Sequence, residues 1–186
     1  MRPLMLIGLA PLLGASDLLI KALGLSVVAL PLLALLGAFG MLLNRFEAKA
    51  RGLALLLAAC ALLTLADLLL RAWALELRHA LGIFLPLLLV TVAVAPADLS
   101  QGLRQGLLFS SAALLLGALR ECLGSGTLFN HAEWLFGPAA GNWTLHVSGF
   151  SGLHLFALVP GAFILLGLLW ATARRVLSPS SIDSDA

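Results

Sequence analysis

Two prolines stand inside apolar runs in matching surroundings. Pro11 lies in Leu9-Ala10-Pro11-Leu12-Leu13 and Pro86 in Phe84-Leu85-Pro86-Leu87-Leu88, each run following a glycine, Gly8 or Gly82. Proline deletes a backbone N–H, so each leaves a carbonyl unpaired, which an apolar medium tolerates only against protein or a cavity. Such a carbonyl can contribute to a cofactor or ion site, or it can be a kink satisfied by a neighbouring helix. Arg120 and Glu121 are adjacent, so on a helix they point to different faces and each needs a partner elsewhere; they are either interfacial anchors or functional charges. Gly124 and Gly126 follow closely and let the chain turn tightly. Asp67 and Arg71 are spaced i, i+4 and can neutralise one another.

The remaining chemistry-bearing residues form no recognisable constellation. His79, His131, His146 and His154 lack metal-ligand spacing and read as interfacial or loop histidines. Cys60 and Cys122 make neither a C-x-x-C motif nor a disulfide framework. Gly102 and Gly106 form a GxxxG that permits close helix approach. There is no P-loop, dinucleotide fingerprint or nucleophile motif, and no catalytic residue is assigned.

The elements that must position these residues follow from composition. With 186 residues, 61% of them hydrophobic and 11% charged, and a mean hydropathy of +1.08, the chain excludes a water-soluble globule. A net charge of +2, scattered along the chain, gives no basic face for nucleic acid. The bilayer is the solvent. Six apolar segments emerge: 4–13, broken at Pro11, then 22–43, 52–70, 81–95, 106–119 and 153–172, of which the first, fourth and fifth are short for a crossing. The opening residues have the ingredients of a signal peptide, but Pro11 and the apolar run from Ala22 favour a short first membrane segment. The expected fold class is an all-α integral membrane protein of six transmembrane helices, with a membrane domain over 1–173 and a polar cytoplasmic tail over 174–186.

Six crossings place Arg2, Arg45, Lys49, Arg51, Arg104, Arg174 and Arg175 on one side, and Lys21, Arg71, Arg78 and Arg120 on the other. Seven cations against four put both termini in the cytoplasm and the long 120–152 connection outside, with Trp73, Trp134 and Trp143 near the outer interface. The matched Pro-Leu-Leu runs fall in the first and fourth segments. Corresponding short, Gly/Pro-interrupted segments in two halves point to an inverted three-plus-three repeat, here about 1–75 and 76–173, with a site near the midplane.

Four stretches carry a family resemblance: Leu119–Phe129 (LRECLGSGTLF), Val159–Leu168 (VPGAFILLGL), Leu81–Leu88 (LGIFLPLL) and Ala22–Leu25 (ALGL). In order and spacing, over nearly the whole chain, they resemble the Rnf–Nqr membrane-subunit family, in its E-type form. The resemblance implies an inverted repeat of six helices with broken first and fourth helices. It also implies a place in a redox-driven, ion-translocating electron-transport complex of a bacterial inner membrane, beside other membrane subunits and an oppositely oriented sister subunit. Family members carry one cysteine directly before the first-helix proline and another six residues after the fourth-helix proline, and share a two-iron, two-sulfur cluster with the sister. The corresponding positions here are Ala10 and Val92, which cannot bind iron. The family's first helix is also already half crossed where this chain begins. The resemblance therefore implies a non-catalytic, cluster-free subunit. The alternatives are a structural or assembly paralogue outside a pump, or a small-solute transporter on the same scaffold. Pro11, Pro86, Arg120, Glu121, Gly124 and Gly126 are its structural or ion-path candidates.

Overall fold

The computed structural model describes residues 13–90, 96–146 and 152–177. After a helical turn at 13–15 the chain forms α1 (Leu19–Leu42), a 3-10 turn (Leu43–Arg45) and α2 (Ala48–Trp73). Two short helices follow, α3 (Leu75–Leu81) and α4 (Phe84–Leu87), and then the long α5 (Leu99–Ser125). The connection beyond it holds a two-residue antiparallel ladder of β1 (Thr127–Leu128) with β2 (Leu145–His146) and the single turn α6 (Glu133–Phe136). The chain closes with α7 (His154–Ala157) and α8 (Val159–Leu177).

α1, α2 and α5 are each long and apolar enough to cross a bilayer. At 1.5 Å per residue, the 24 residues of α1 span about 36 Å, more than a hydrocarbon core of roughly 30 Å. The outermost turns of α5 escape a reading by hydropathy because Ser100, Gln101, Arg104 and Gln105 are polar, yet the helix runs through them. Their side chains still favour or tolerate helix, and only the solvent at that depth differs.

α1 and α5 form the centre of the molecule as a tightly packed antiparallel pair. Gly102 lies against Leu33, Gly106 against Leu30 and Gly117 against Leu19 and Ala22, a register that falls on one helix as it climbs on the other. A Cβ added at Gly102 would stand 2.3 Å from the Leu33 carbonyl oxygen, so the glycine sets the separation of the two backbones. In a membrane, where lipid is as apolar as leucine, such close backbone approach is what holds helices together. α2 packs along α1 through Leu55, Ala59 and Leu63 and leaves most of its other apolar side chains on the outside.

Two further segments depart from the sequence expectation. The fourth segment turns helical at Leu75, within the stretch read as a connector, and breaks at Gly82, whose φ of 47° few side chains accept. The sixth is also divided, α7 ending at Leu158 in extended conformation just ahead of Pro160. Pro160 has no N–H to give the Phe156 carbonyl four residues earlier, so α7 cannot run on unbroken, while its fixed φ and missing donor suit the first turn of α8. α8 then continues through Leu177, into the segment read as tail.

Candidate functional site

The broken fourth segment meets the end of the first. Gly14 lies beneath the ring of Phe84, where an added methyl would come within 1.8 Å of a ring carbon, and Ala15 shares one core with Leu81, Leu85 and Leu88. Pro86 offers no N–H to the carbonyl of Gly82, four residues earlier. Both residues border a groove of about 360 Å³ between α2 and the α3–α4 break, which also exposes Cys60, Thr64, Asp67 and Arg78. Its polar groups are neutralised or satisfied. Asp67 accepts from Arg71 Nε at 2.8 Å and from Arg78 Nε at 2.9 Å, which ties α2 to α3, and the Thr64 hydroxyl donates to the Cys60 carbonyl at 2.7 Å. Ala10, Pro11 and Val92 lie outside the described residues.

The second concentration of chemistry surrounds Arg120 and Glu121, 2% and 1% exposed, on the last turns of α5. Arg120 donates from Nε to the Phe156 carbonyl at 3.2 Å and from Nη1 to the Leu13 carbonyl at 2.9 Å and the Ser16 hydroxyl at 3.0 Å. From Nη2 it donates to the Ala157 and Leu158 carbonyls at 2.9 and 3.4 Å. A guanidinium has five N–H donors, and this geometry uses all of them. Three of the acceptors close α7 and one closes the first segment, where unpaired carbonyls give a helix its negative end.

Glu121 makes the complementary arrangement. Its Oε2 accepts from the Leu19 N–H at 2.7 Å, at the electropositive start of α1, and its Oε1 accepts from the Asn130 N–H at 2.7 Å. Phe129 and His131, flanking Asn130, both have φ of 60°, a conformation that costs a non-glycine residue about 1–3 kcal/mol. The loop therefore bends around the carboxylate. Beside this cluster Lys21 pairs with Asp17 at 2.7 Å, and the His131 ring stacks on Trp134 with centroids 4.5 Å apart.

The two glycines after Glu121 serve different ends. Gly126 closes α5 in the left-handed conformation at φ 65°, while Gly124 admits α7 so closely that a Cβ would stand 2.9 Å from the Ala157 nitrogen. Sequence reasoning overlooked Ser16, Asp17, Lys21 and Arg78. The i, i+4 spacing of Asp17 and Lys21 was a visible signal, but nothing in spacing alone connects Arg78 to Asp67 eleven residues earlier.

Long apolar helices packed through glycine, with buried charges spent on helix ends, define a multi-pass integral membrane protein. The chain belongs to the Rnf-Nqr family: the family model described as "Rnf-Nqr subunit, membrane protein" matches residues 3–170. It is 40% identical over 185 residues to the E subunit of the ion-translocating oxidoreductase complex of Pseudomonas aeruginosa (strain UCBPP-PA14), covering 92% of this chain and 78% of that protein. Proteins of the same description from Cellvibrio japonicus (strain Ueda107) and Shewanella sp. (strain W3-18-1) are 35% and 37% identical. They cover 92% and 89% of this chain, and in both cases 78% of the relative.

Of the described residues that line the groove beside Pro86, Cys60 alone carries a thiol. Among the described residues no three of His, Cys, Asp and Glu are grouped to hold a metal.

Proposed function

We propose that this protein is an integral membrane subunit of an Rnf-type, redox-driven ion-translocating complex, of the E type, and that it works without a cluster of its own. The observation that carries the reading is sequence similarity along nine-tenths of the chain to relatives described as the E subunit of an ion-translocating oxidoreductase complex. Two structural features support an inverted three-plus-three arrangement. The second and fifth segments are antiparallel partners, as segments related by a two-fold axis in the membrane plane are, and the first and fourth meet at Gly14 and Phe84. In this arrangement the chain crosses the inner membrane six times with both termini in the cytoplasm. An oppositely oriented sister subunit faces the broken segments, and Arg120 and Glu121 lie toward the outer side. Because Ala10 and Val92 lack ligand atoms, this subunit contributes scaffold and a wall of the ion path rather than a redox centre.

Purification from the native membrane tests the reading. Flavin-bearing and ferredoxin-like subunits should co-purify with the chain, and its complex with the sister should lack the iron and visible absorption of a two-iron, two-sulfur centre. Isolation without any redox subunit would favour an assembly paralogue. Stoichiometric iron lost on Cys60→Ser would show that the site had moved to α2. A reporter active only in the periplasm should stay silent when fused after Ser180; activity there would invert the topology.

A further inference from the structure

We infer that Arg120 is a positioning residue that registers the end of the first segment against the broken fourth, acting as a tethered cation inside a five-oxygen cage. The Leu13, Phe156, Ala157 and Leu158 carbonyls and the Ser16 hydroxyl converge on its guanidinium from two chain segments more than a hundred residues apart. Carbonyls at the ends of interrupted helices are the groups that coordinate free cations in membrane transporters. Here the charge is supplied by the chain itself. Removing it would leave the four carbonyls without its donors, with only the Ser16 hydroxyl left to serve the Leu13 carbonyl, so the two segments would separate or admit water.

The consequence reaches the next residue. Leu13, whose carbonyl Nη1 holds, precedes Gly14, and Gly14 is the surface on which the Phe84 ring rests. Fixing the Leu13 carbonyl fixes the height of Gly14 along Phe84, and with it the contact of the first segment's end with the fourth. Glu121 engages different groups, the N–H of Leu19 and of Asn130, so it sets the start of α1 and the outer loop rather than this contact. A cage with every donor used has no vacancy for a migrating ion, which makes Arg120 a fixed part of the scaffold. This role of Arg120 follows from the geometry of the chain and holds whether or not the protein belongs to a redox complex.

The test is thiol cross-linking of the full-length chain in its native membrane, with Gly14→Cys and Phe84→Cys in a Cys60→Ala, Cys122→Ser background. Loss of the Phe84 ring leaves room for both sulfurs, and cross-links should form readily with Arg120 present. Arg120→Ala should lower the yield about tenfold, the equilibrium equivalent of one lost charge-assisted hydrogen bond. Guanidinium added at a non-denaturing concentration should restore it, and Arg120→Lys should not, since one ammonium with three donors cannot reach both groups of carbonyls. An unchanged yield in the Ala variant, a loss that guanidinium does not reverse, or a Lys variant equal to the parent would each overturn the inference. If the Ala variant fails to accumulate, the yield of the Lys variant decides between the two outcomes.

Discussion

Two of the charge groups in this small membrane protein are solved by opposite chemistry. Asp67, Arg71 and Arg78 meet side chain to side chain at the C-terminal end of α2, with Arg71 about half exposed. Arg120 and Glu121 are buried and make no ion pair with each other; each is bonded to the backbone, the cation to carbonyls that end helices and the anion to N–H groups, one at a helix start. The difference follows from solvent. Where water or headgroups reach, two side chains neutralise one another cheaply and gain little, because exposure screens them. Where they do not, an ion must be surrounded by dipoles already fixed in place, and helix termini supply these. The first arrangement trims a surface, whereas the second determines which helix ends lie together.

The largest effect that would break this contrast belongs to Arg120. Its replacement by alanine should destabilise the protein by about 3–5 kcal/mol, the summed cost of leaving several carbonyl acceptors without a donor, read as loss of the folded fraction in reversible unfolding from bicelles. A change below about 1 kcal/mol would place Arg120 with the surface charges. Glu121→Gln comes next, with an expected cost of about 1–3 kcal/mol, because the amide oxygen still accepts one of the two N–H groups. Hydrogen exchange should quicken at the Leu19 and Asn130 amides and remain slow along the middle of α1.

The central helix pair sharpens the contrast without any charge. Gly102→Ala places a methyl against the Leu33 carbonyl and should cost about 1–3 kcal/mol through forced separation of α1 and α5. At Gly52 on α2 an added Cβ meets nothing within 4 Å, so Gly52→Ala should instead stabilise by about 0.5–1 kcal/mol through helix propensity. Equal effects at the two glycines would contradict the packing. The smallest change is expected for Arg71→Ala, below about 1 kcal/mol, because Arg78 continues to hold the Asp67 carboxylate. A double-mutant cycle between Asp67 and each arginine should show the stronger coupling to Arg78, which is less exposed and joins two helices.

Much of this was legible in the sequence, for identifiable reasons. Apolar runs near bilayer length fixed the class of protein, since only a membrane accommodates so little charge, and the stretches from Leu119 to Phe129 and from Val159 to Leu168 carried the family. Adjacency of Arg120 and Glu121 required that each find its own partner, because neighbours on a helix face different ways. The tertiary structure decided what adjacency and hydropathy cannot encode. That Arg120 serves carbonyls at both ends of the chain, that Asp67 has a second partner in Arg78, and that Gly102 rather than any leucine spaces the central helices are all consequences of helices meeting across long sequence separations. The break ahead of Pro160 had a local cause, but its use did not: the carbonyls it frees gain meaning only because α5 delivers a guanidinium to them. Periodicity and hydropathy report how a segment relates to its solvent, whereas the partner of a buried charge is set by which helix ends the packing brings within hydrogen-bond reach.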